Sequence, residues 1–244
     1  MGENQMVSDK TRVKLAKLLN VVPAWGSAIE RKYIVFDLLN KKKKMILDIG
    51  CGWGDVSRFL SRFGKKAVAV DIIKEKIKTG DNFFHVLASA EQLPFKDGSF
   101  DQILCMDVIE HLKNDSIAAS EMARVLIKNG EAIITTPSNF WKYPYWGFMR
   151  YFTTDEKTFI KQAAHVKKGY SLEELKSLFK GFEVKDCKFY INNGFSAFAC
   201  DIEFSYLRVL ENLMLKAMGL FLLLNFKLSS KGRGTHIGVN FVKK

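Results

Sequence analysis

Residues 45–55 read MILDIGCGWGD. An apolar run closes on Asp48 and Ile49, and glycines follow at 50, 52 and 54. A buried strand, a glycine-rich turn and a helix starting near Gly54 are the layout of a nucleotide-binding crossover. The glycines let the backbone pass close beneath a ligand, and the new helix offers its unpaired N–H groups there. The spacing is G-x-G-x-G, not the G-x-G-x-x-G of a pyrophosphate cradle, and Asp48 stands where a phosphate would meet a carboxylate. That acid suits a ligand carrying a cationic amine. Asp71 closes the next apolar run, AVAVDI at 67–72, where a carboxylate can accept both hydroxyls of a ribose. An amine, a ribose and no phosphate describe S-adenosylmethionine.

The rest of the chain alternates. Strands are expected at 45–49, 67–72, 83–88 and 131–137, a turn followed by a strand at 98–106, and helices at 54–63 and 115–127 between them. Continuous apolar strands separated by helices argue a parallel α/β sheet. Helices are also expected at 9–20 and 27–40. YSLEELKSLF at 170–179 reads as a helix capped by Ser171, with Glu174 three residues on. Residues 182–191 and 235–244 alternate like strands. A chain of 244 residues, 48% apolar and 26% charged, suits one domain with a sizeable core. Three parts are expected within it: an N-terminal helical cap at 1–44, a cofactor-binding core at 45–137, and a substrate-side half at 138–244 with a helical insertion at about 194–230. Cys51, Cys105, Cys187 and Cys200 form no C-x-x-C pair and read as reduced thiols. The first ten residues lack the apolar core of a signal peptide, and the apolar run 217–226 is too short to span a bilayer.

With these motifs in place the chain resembles class I S-adenosylmethionine-dependent methyltransferases, of the type grouped with ubiquinone and menaquinone biosynthesis. The resemblance rests on ILDIGCGWG, AVAVDI, SAEQLPFKDGSFDQILCMDVIEHL and RVLIKNGEAIITTPS. It implies a Rossmann-like seven-stranded sheet in the order 3-2-1-4-5-7-6, with an antiparallel last strand supplied by 235–244. It implies S-adenosylmethionine as the cofactor, held by Asp48, Gly50, Cys51, Gly52, Gly54, Asp71 and Ile72. Ser89, Ala90 and Glu91 would lie at the adenine, with Ser89 where the family usually has aspartate. Gly50 and Cys51 would line the methionine moiety, and Met106 and Asp107 would face the cofactor or the acceptor.

Methyl transfer is a displacement at a sulfonium with a neutral leaving group, so placement of the nucleophile and exclusion of water do most of the work. A base is needed only where the acceptor must lose a proton. In DVIEHL, a helix starting at Asp107 would put Glu110 and His111 on the same side. In quinone-pathway O-methyltransferases a similar cluster binds a divalent metal or serves as the base. His111 is accordingly a base, part of a weak metal site, or a structural donor; no resident metal is expected. His165, in HVKKGYSLEEL, resembles a histidine at the active-site mouth of glycan- and lipid-linked methyltransferases, and reads equally as a loop or cap residue. His85 and His236 lie in strands and read as structural. Aromatics crowd 141–152, where they could stack on a ring, grip an acyl chain or pack as a lid.

Residues 204–228 carry Leu207, Leu210, Met214, Ala217, Phe221 and Leu224 on one helical stripe. The helix would pack on the sheet, form a homodimer interface, or dock on an anionic membrane surface. The expected function is methylation, on oxygen, of a small or lipid-linked acceptor, by an enzyme that is cytoplasmic or peripheral at a membrane. Two alternatives stand beside it. The net charge of +12 admits an RNA methyltransferase, against which no ordered basic stripe with stacking aromatics is visible. A cofactor-binding scaffold without turnover is the other, since fold alone never proves activity.

Overall fold

The computed structural model describes residues 37–40, 42–61, 64–74, 83–141, 143–144, 147–190 and 234–244. The helices expected at 9–20 and 204–228, most of 27–40, and Cys200 lie outside the described residues.

The element order is β1 (Met45–Ile49), α1 (Asp55–Ser61), β2 (Lys66–Asp71), β3 (Phe83–Leu87), β4 (Phe100–Met106), a 3-10 turn (Ile109–His111), α2 (Asp115–Val125), β5 (Leu126–Pro137), a second 3-10 turn (Gly147–Tyr151), α3 (Glu156–Gln162), α4 (Leu172–Leu178), β6 (Phe182–Tyr190) and β7 (His236–Lys243). The strands form one sheet in the order β3-β2-β1-β4-β5-β7-β6. β1 to β5 run parallel. β7 runs antiparallel between β5 and β6. This is the topology the resemblance implied.

The central strands are covered on both faces, which is why they read as unbroken apolar runs. Every residue of β1 after Met45 is buried, as are six of the seven in β4. The edge strand β6 instead exposes Glu183 and Lys185 in alternation, the charged pattern that discourages further pairing. Phe179 stacks on Phe241 at 4.9 Å, and Phe182 meets Phe179 edge-on at 5.7 Å, tying α4 to β6 and β7. The Ser171–Glu174 capping box is present and starts α4 where expected. Cys51, Cys105 and Cys187 are free thiols.

Two polar devices set the ends of strands. The Asp101 carboxylate accepts from the N–H groups of Lys44 and Met45 at 2.8 and 2.9 Å, fixing the start of β1 against β4. Arg124 on α2 donates to Glu121, Asp97 and the carbonyls of Leu93 and Phe95, holding the segment before β4 to the helix.

A third network lies under β5. The Glu131 carboxylate, 4% exposed, accepts from Asn40 at 2.6 Å, Lys185 at 2.8 Å and Asn240 at 2.9 Å. Burial opposes its ionisation, but the Lys185 ammonium and the two amides outweigh it and hold the carboxyl below its usual range. A depressed folded pKa gives stability that is present above the unfolded value and is lost as pH falls through the folded one. Glu131→Gln is expected to lower stability at pH 7 by about 1–3 kcal/mol, the scale of a broken buried charged hydrogen bond. It should also flatten the loss of stability on acidification below pH 4.5, the ordinary value for this group. Thermal melts of both proteins at pH 7 and pH 4 read the difference, and parallel acid profiles would remove Glu131 as a source.

Candidate active site

All the site residues expected from sequence lie along the carboxyl edge of the parallel strands or the loops that leave it. The turn after β1 is built as its glycines require. Gly50, Gly52 and Gly54 have φ of +66°, +56° and +73°. The N–H groups of Gly50 and Cys51 donate to the Val70 carbonyl, which fastens the turn to β2. Asp71 ends β2, and its carboxylate accepts from Gly52 N–H at 2.8 Å and from Ile73 N–H at 2.9 Å. Asp48 is 3% exposed and accepts from Ser57 Oγ on α1 at 2.6 Å. Strand, turn and helix are thus locked by two carboxylates.

S-adenosylmethionine fits this frame. A Cβ built on Gly52 would meet nothing within 4 Å, so the turn stands over open space. An ionised carboxylate has about four acceptor positions, and Asp71 has given two of them to backbone, leaving room for ribose hydroxyls. Ile72 beside it is an exposed apolar side chain that a flat base can cover. Ala90 is buried, and Ser89 Oγ accepts from Glu91 N–H at 3.1 Å. The Glu91 carboxylate is engaged by Asn114, backbone and side chain. Cys51, expected with Gly50 at the methionine moiety, lies in the turn itself, its N–H fastened to the Val70 carbonyl. The thiol packs against Ala67 and Ala69 and lies 3.2 Å from His85 Nε2, because Cys51 turns toward β2 and β3.

The end of β4 decides how Asp107, Glu110 and His111 are arranged. No helix starts at Asp107; the chain makes a 3-10 turn at Ile109–His111 instead. Asp107 takes φ of +54°, unusual for a residue with a side chain. Its N–H donates to the Thr135 carbonyl at 2.9 Å, and its carboxylate accepts from Thr135 Oγ1 at 3.2 Å and lies 3.9 Å from His236 Nε2. Asp107 therefore does not share one face with Glu110 and His111. Glu110 is 1% exposed, with Oε2 accepting from Thr136 Oγ1 at 3.0 Å. The Glu110 carbonyl accepts from the N–H groups of Val166 and Lys167, which brings the segment after α3 across the site.

That segment delivers His165. Its ring meets that of His111 edge-on at 4.6 Å. Burial first, and then the neighbouring His111, push His165 down to about 4, so it is neutral at pH 7. Burial, with Glu110, Asp48 and Asp107 around it, raises the Cys105 thiol well above its ordinary value and keeps it protonated. His111 Nδ1 lies 3.2 Å from the Ala164 carbonyl.

The aromatic stretch divides in two. Trp141 and Tyr143 are buried and pack with Phe159 of α3, the Tyr143 and Phe159 rings stacked at 4.3 Å. Phe159 in turn faces His165 at 6.5 Å. These rings form a packed cover beside the acid–imidazole cluster. Phe148, Tyr151 and Phe152 are exposed.

Sequence reading missed several residues that sit here. His236 lies in a strand as expected, and its pairing with Pro137 places it at the carboxyl edge, beside Asp107. Thr135 and Thr136 belong to the apolar run of β5 and give no separate signal. Ser57 could have been found, since it follows the glycine turn by one helical step and Asp48 needed a partner.

The fold and the glycine turn together define a class I methyltransferase domain. Residues 47–134 match the methyltransferase domain family. A ubiquinone biosynthesis O-methyltransferase from Xanthomonas oryzae pv. oryzae is 29% identical over 102 residues, which cover 37% of this chain and 42% of that protein. A chloroplastic tocopherol O-methyltransferase from Arabidopsis thaliana is 32% identical over 108 residues, covering 39% of this chain and 31% of that protein. The chain thus spans less than half the length of the curated relatives it matches. The solved structure of PH0226 from Pyrococcus horikoshii superposes with a TM-score of 0.58 at 19% identity, covering 88% of this chain and 90% of that one. Residues 47–134 thus carry a methyltransferase domain, S-adenosylmethionine is the cofactor that this family indicates for it, and the fold of the described residues is that of the solved structure. Among the described residues no helix is long and apolar enough to cross a membrane.

Proposed function

We propose that the protein transfers a methyl group from S-adenosylmethionine to an oxygen of a small or lipid-linked acceptor. The observation that carries this reading is the division of one sheet edge. The glycine turn with Asp48 and Asp71 occupies the β1–β2 side, and a dense set of acids and imidazoles occupies the β4–β5–β7 side. The cofactor supplies an electrophilic methyl on a sulfonium when bound. Asp71 orients the ribose, and Asp48 gives negative charge at the amine end. At the other side, the carboxylates and imidazoles of Asp107, Glu110, His111, His165 and His236 can hold an acceptor hydroxyl and take its proton. The cover of buried Trp141 and Tyr143 with half-buried Phe159 keeps water from that side. The relatives named for ubiquinone biosynthesis and tocopherol methylation support an oxygen acceptor on a lipid-like ring.

The test is incubation of the pure protein with methyl-labelled S-adenosylmethionine and a fractionated host extract. Label is expected in the lipid or small-molecule fraction, as a base-stable ether. Label confined to RNA would overturn the acceptor and make the net charge of +12 the better guide. Label nowhere, with S-adenosylhomocysteine still bound, would leave a cofactor-binding scaffold.

A further inference from the structure

We infer that Cys51 is a site of reversible covalent modification by small disulfides, activated by His85, and that the modified turn no longer takes S-adenosylmethionine. The inference rests on the cofactor site and not on the acceptor proposed above. Cys51 stands between Gly50 and Gly52, and its Sγ lies 3.2 Å from His85 Nε2. Strand pairing sets His85 opposite Ala69, and the thiol packs on Ala67 and Ala69, so the sulfur lies over β2 with the β3 imidazole beside it. β3 is the outermost strand of the sheet, and both residues of the pair are half-buried. The turn next to the sulfur stands over open space, since a Cβ on Gly52 meets nothing within 4 Å. A small reagent therefore reaches the pair from the edge of the sheet without opening the core.

An imidazole beside a thiol takes its proton and leaves the thiolate, the form that attacks a disulfide. Cys51 Sγ bonds to one sulfur of the reagent as the reagent's own S–S bond breaks. The electron pair leaves with the second sulfur, which takes up the proton held by His85. Cys51 is thus oxidised to a mixed disulfide, and the released half of the reagent is reduced to a thiol. The charged groups on the elements around the pair are Asp48 of β1, Asp71 of β2, and Asp55 and Arg58 of α1. Asp48 accepts from Ser57, Asp71 from the Gly52 and Ile73 N–H groups, and Asp55 pairs with Arg58. The other described cysteines are poor competitors. Burial keeps the Cys105 thiol protonated, and burial and then Asp186 push the Cys187 thiol up. A group added to Cys51 must share the space of Gly52, whose N–H donates to Asp71 at 2.8 Å. Displacing that bond separates the turn from the ribose carboxylate, so adduct and cofactor exclude each other.

The test treats the full, reduced chain with dithiodipyridine, a small aromatic disulfide whose released thiopyridone is followed by absorption. Peptide mass mapping then identifies the labelled cysteine, Cys200 included. Cys51 is expected to react first. A free thiol is only a few per cent ionised at pH 7, so His85→Gln should slow the Cys51 reaction about ten-fold there. At about pH 9.5, above the ordinary thiol value, the two proteins should react alike, which a merely structural role of His85 would not produce. Affinity for S-adenosylhomocysteine is measured calorimetrically before and after treatment. The adduct should weaken it at least about ten-fold, dithiothreitol should restore it, and saturating S-adenosylhomocysteine should slow the labelling of Cys51. Cys51→Ser should bind with the same affinity before and after the disulfide. First reaction at another cysteine, equal rates for His85→Gln and the parent at pH 7, or unchanged affinity of the Cys51 adduct would each overturn the inference. Binding by the untreated parent is read first, so a failure of the cofactor site is told apart from a failure of the thiol site.

Discussion

Asp71→Ala is expected to weaken binding of S-adenosylhomocysteine about 100-fold or more, measured by isothermal titration calorimetry. Hydrogen bonds to a charged group contribute about 1.5–3 kcal/mol each, and two ribose hydroxyls on one carboxylate amount to at least two decades of affinity. The same carboxylate also ties Gly52 and Ile73 to the end of β2. Alanine therefore removes both the ligand's acceptor and the clamp on the turn that carries the ligand. Asp71→Asn keeps an acceptor oxygen but loses the charge, so its loss should be about ten-fold, roughly one charge-assisted bond. Equal affinity in Asp71→Ala and the parent would place the ribose elsewhere.

The second large effect separates two glycines of one turn. A Cβ on Gly50 would stand 2.2 Å from Val108 Cγ2, at φ of +66°. A left-handed backbone costs an alanine about 1–2 kcal/mol, and overpacking adds about 1–3 kcal/mol. Gly50→Ala should therefore destabilise by about 3 kcal/mol, which for a chain of this size lowers the melting temperature by about 6–12 °C. Val108→Ala in that background removes the clash but not the backbone strain, so the double variant should recover about half of the loss. Gly52→Ala has the strain alone, since nothing lies within 4 Å of its Cβ. It should melt only a few degrees low, by about 1–2 kcal/mol, yet lose cofactor affinity as sharply as Asp71→Ala. Equal melting temperatures for the two alanine variants would contradict the packing described here.

The cofactor half of the site was legible in the sequence because its chemistry is local. Asp48 and Asp71 sit on strands whose burial leaves an apolar run, the glycines follow directly in the turn after the first of them, and the capping box marks α4 within four residues. What was not legible depends on contacts distant in sequence. β5 begins at Leu126, ahead of the expected 131, because a register shift against β4 lets the kink at Asn129, with φ of +59°, stay inside the strand. α3 buries no residue fully, so it shows no apolar period, although Asp155 caps it through Thr158 N–H. At Ile109–His111 the chain makes a 3-10 turn, and Asp107 bonds across to Thr135, a contact that DVIEHL does not announce. His165 reaches Glu110 through two backbone bonds that no local pattern announces.

The place of β7 sets an order of assembly. Five parallel strands, β1 to β5, neighbour one another and can pair in the order in which they are synthesised. β6 has a single neighbour in the sheet, and that neighbour is β7, some forty-five residues later. Until residues 236–243 arrive, β6 has no edge to join, and Phe179 lacks the Phe241 ring on which it stacks. The cofactor side can thus mature during synthesis, whereas the β5–β7 side, which includes His236, closes only in a final step, once more than forty further residues have been made. An intermediate with a formed glycine turn and an open acceptor edge is the kinetic signature of that geometry: it would bind cofactor before it could hold an acceptor.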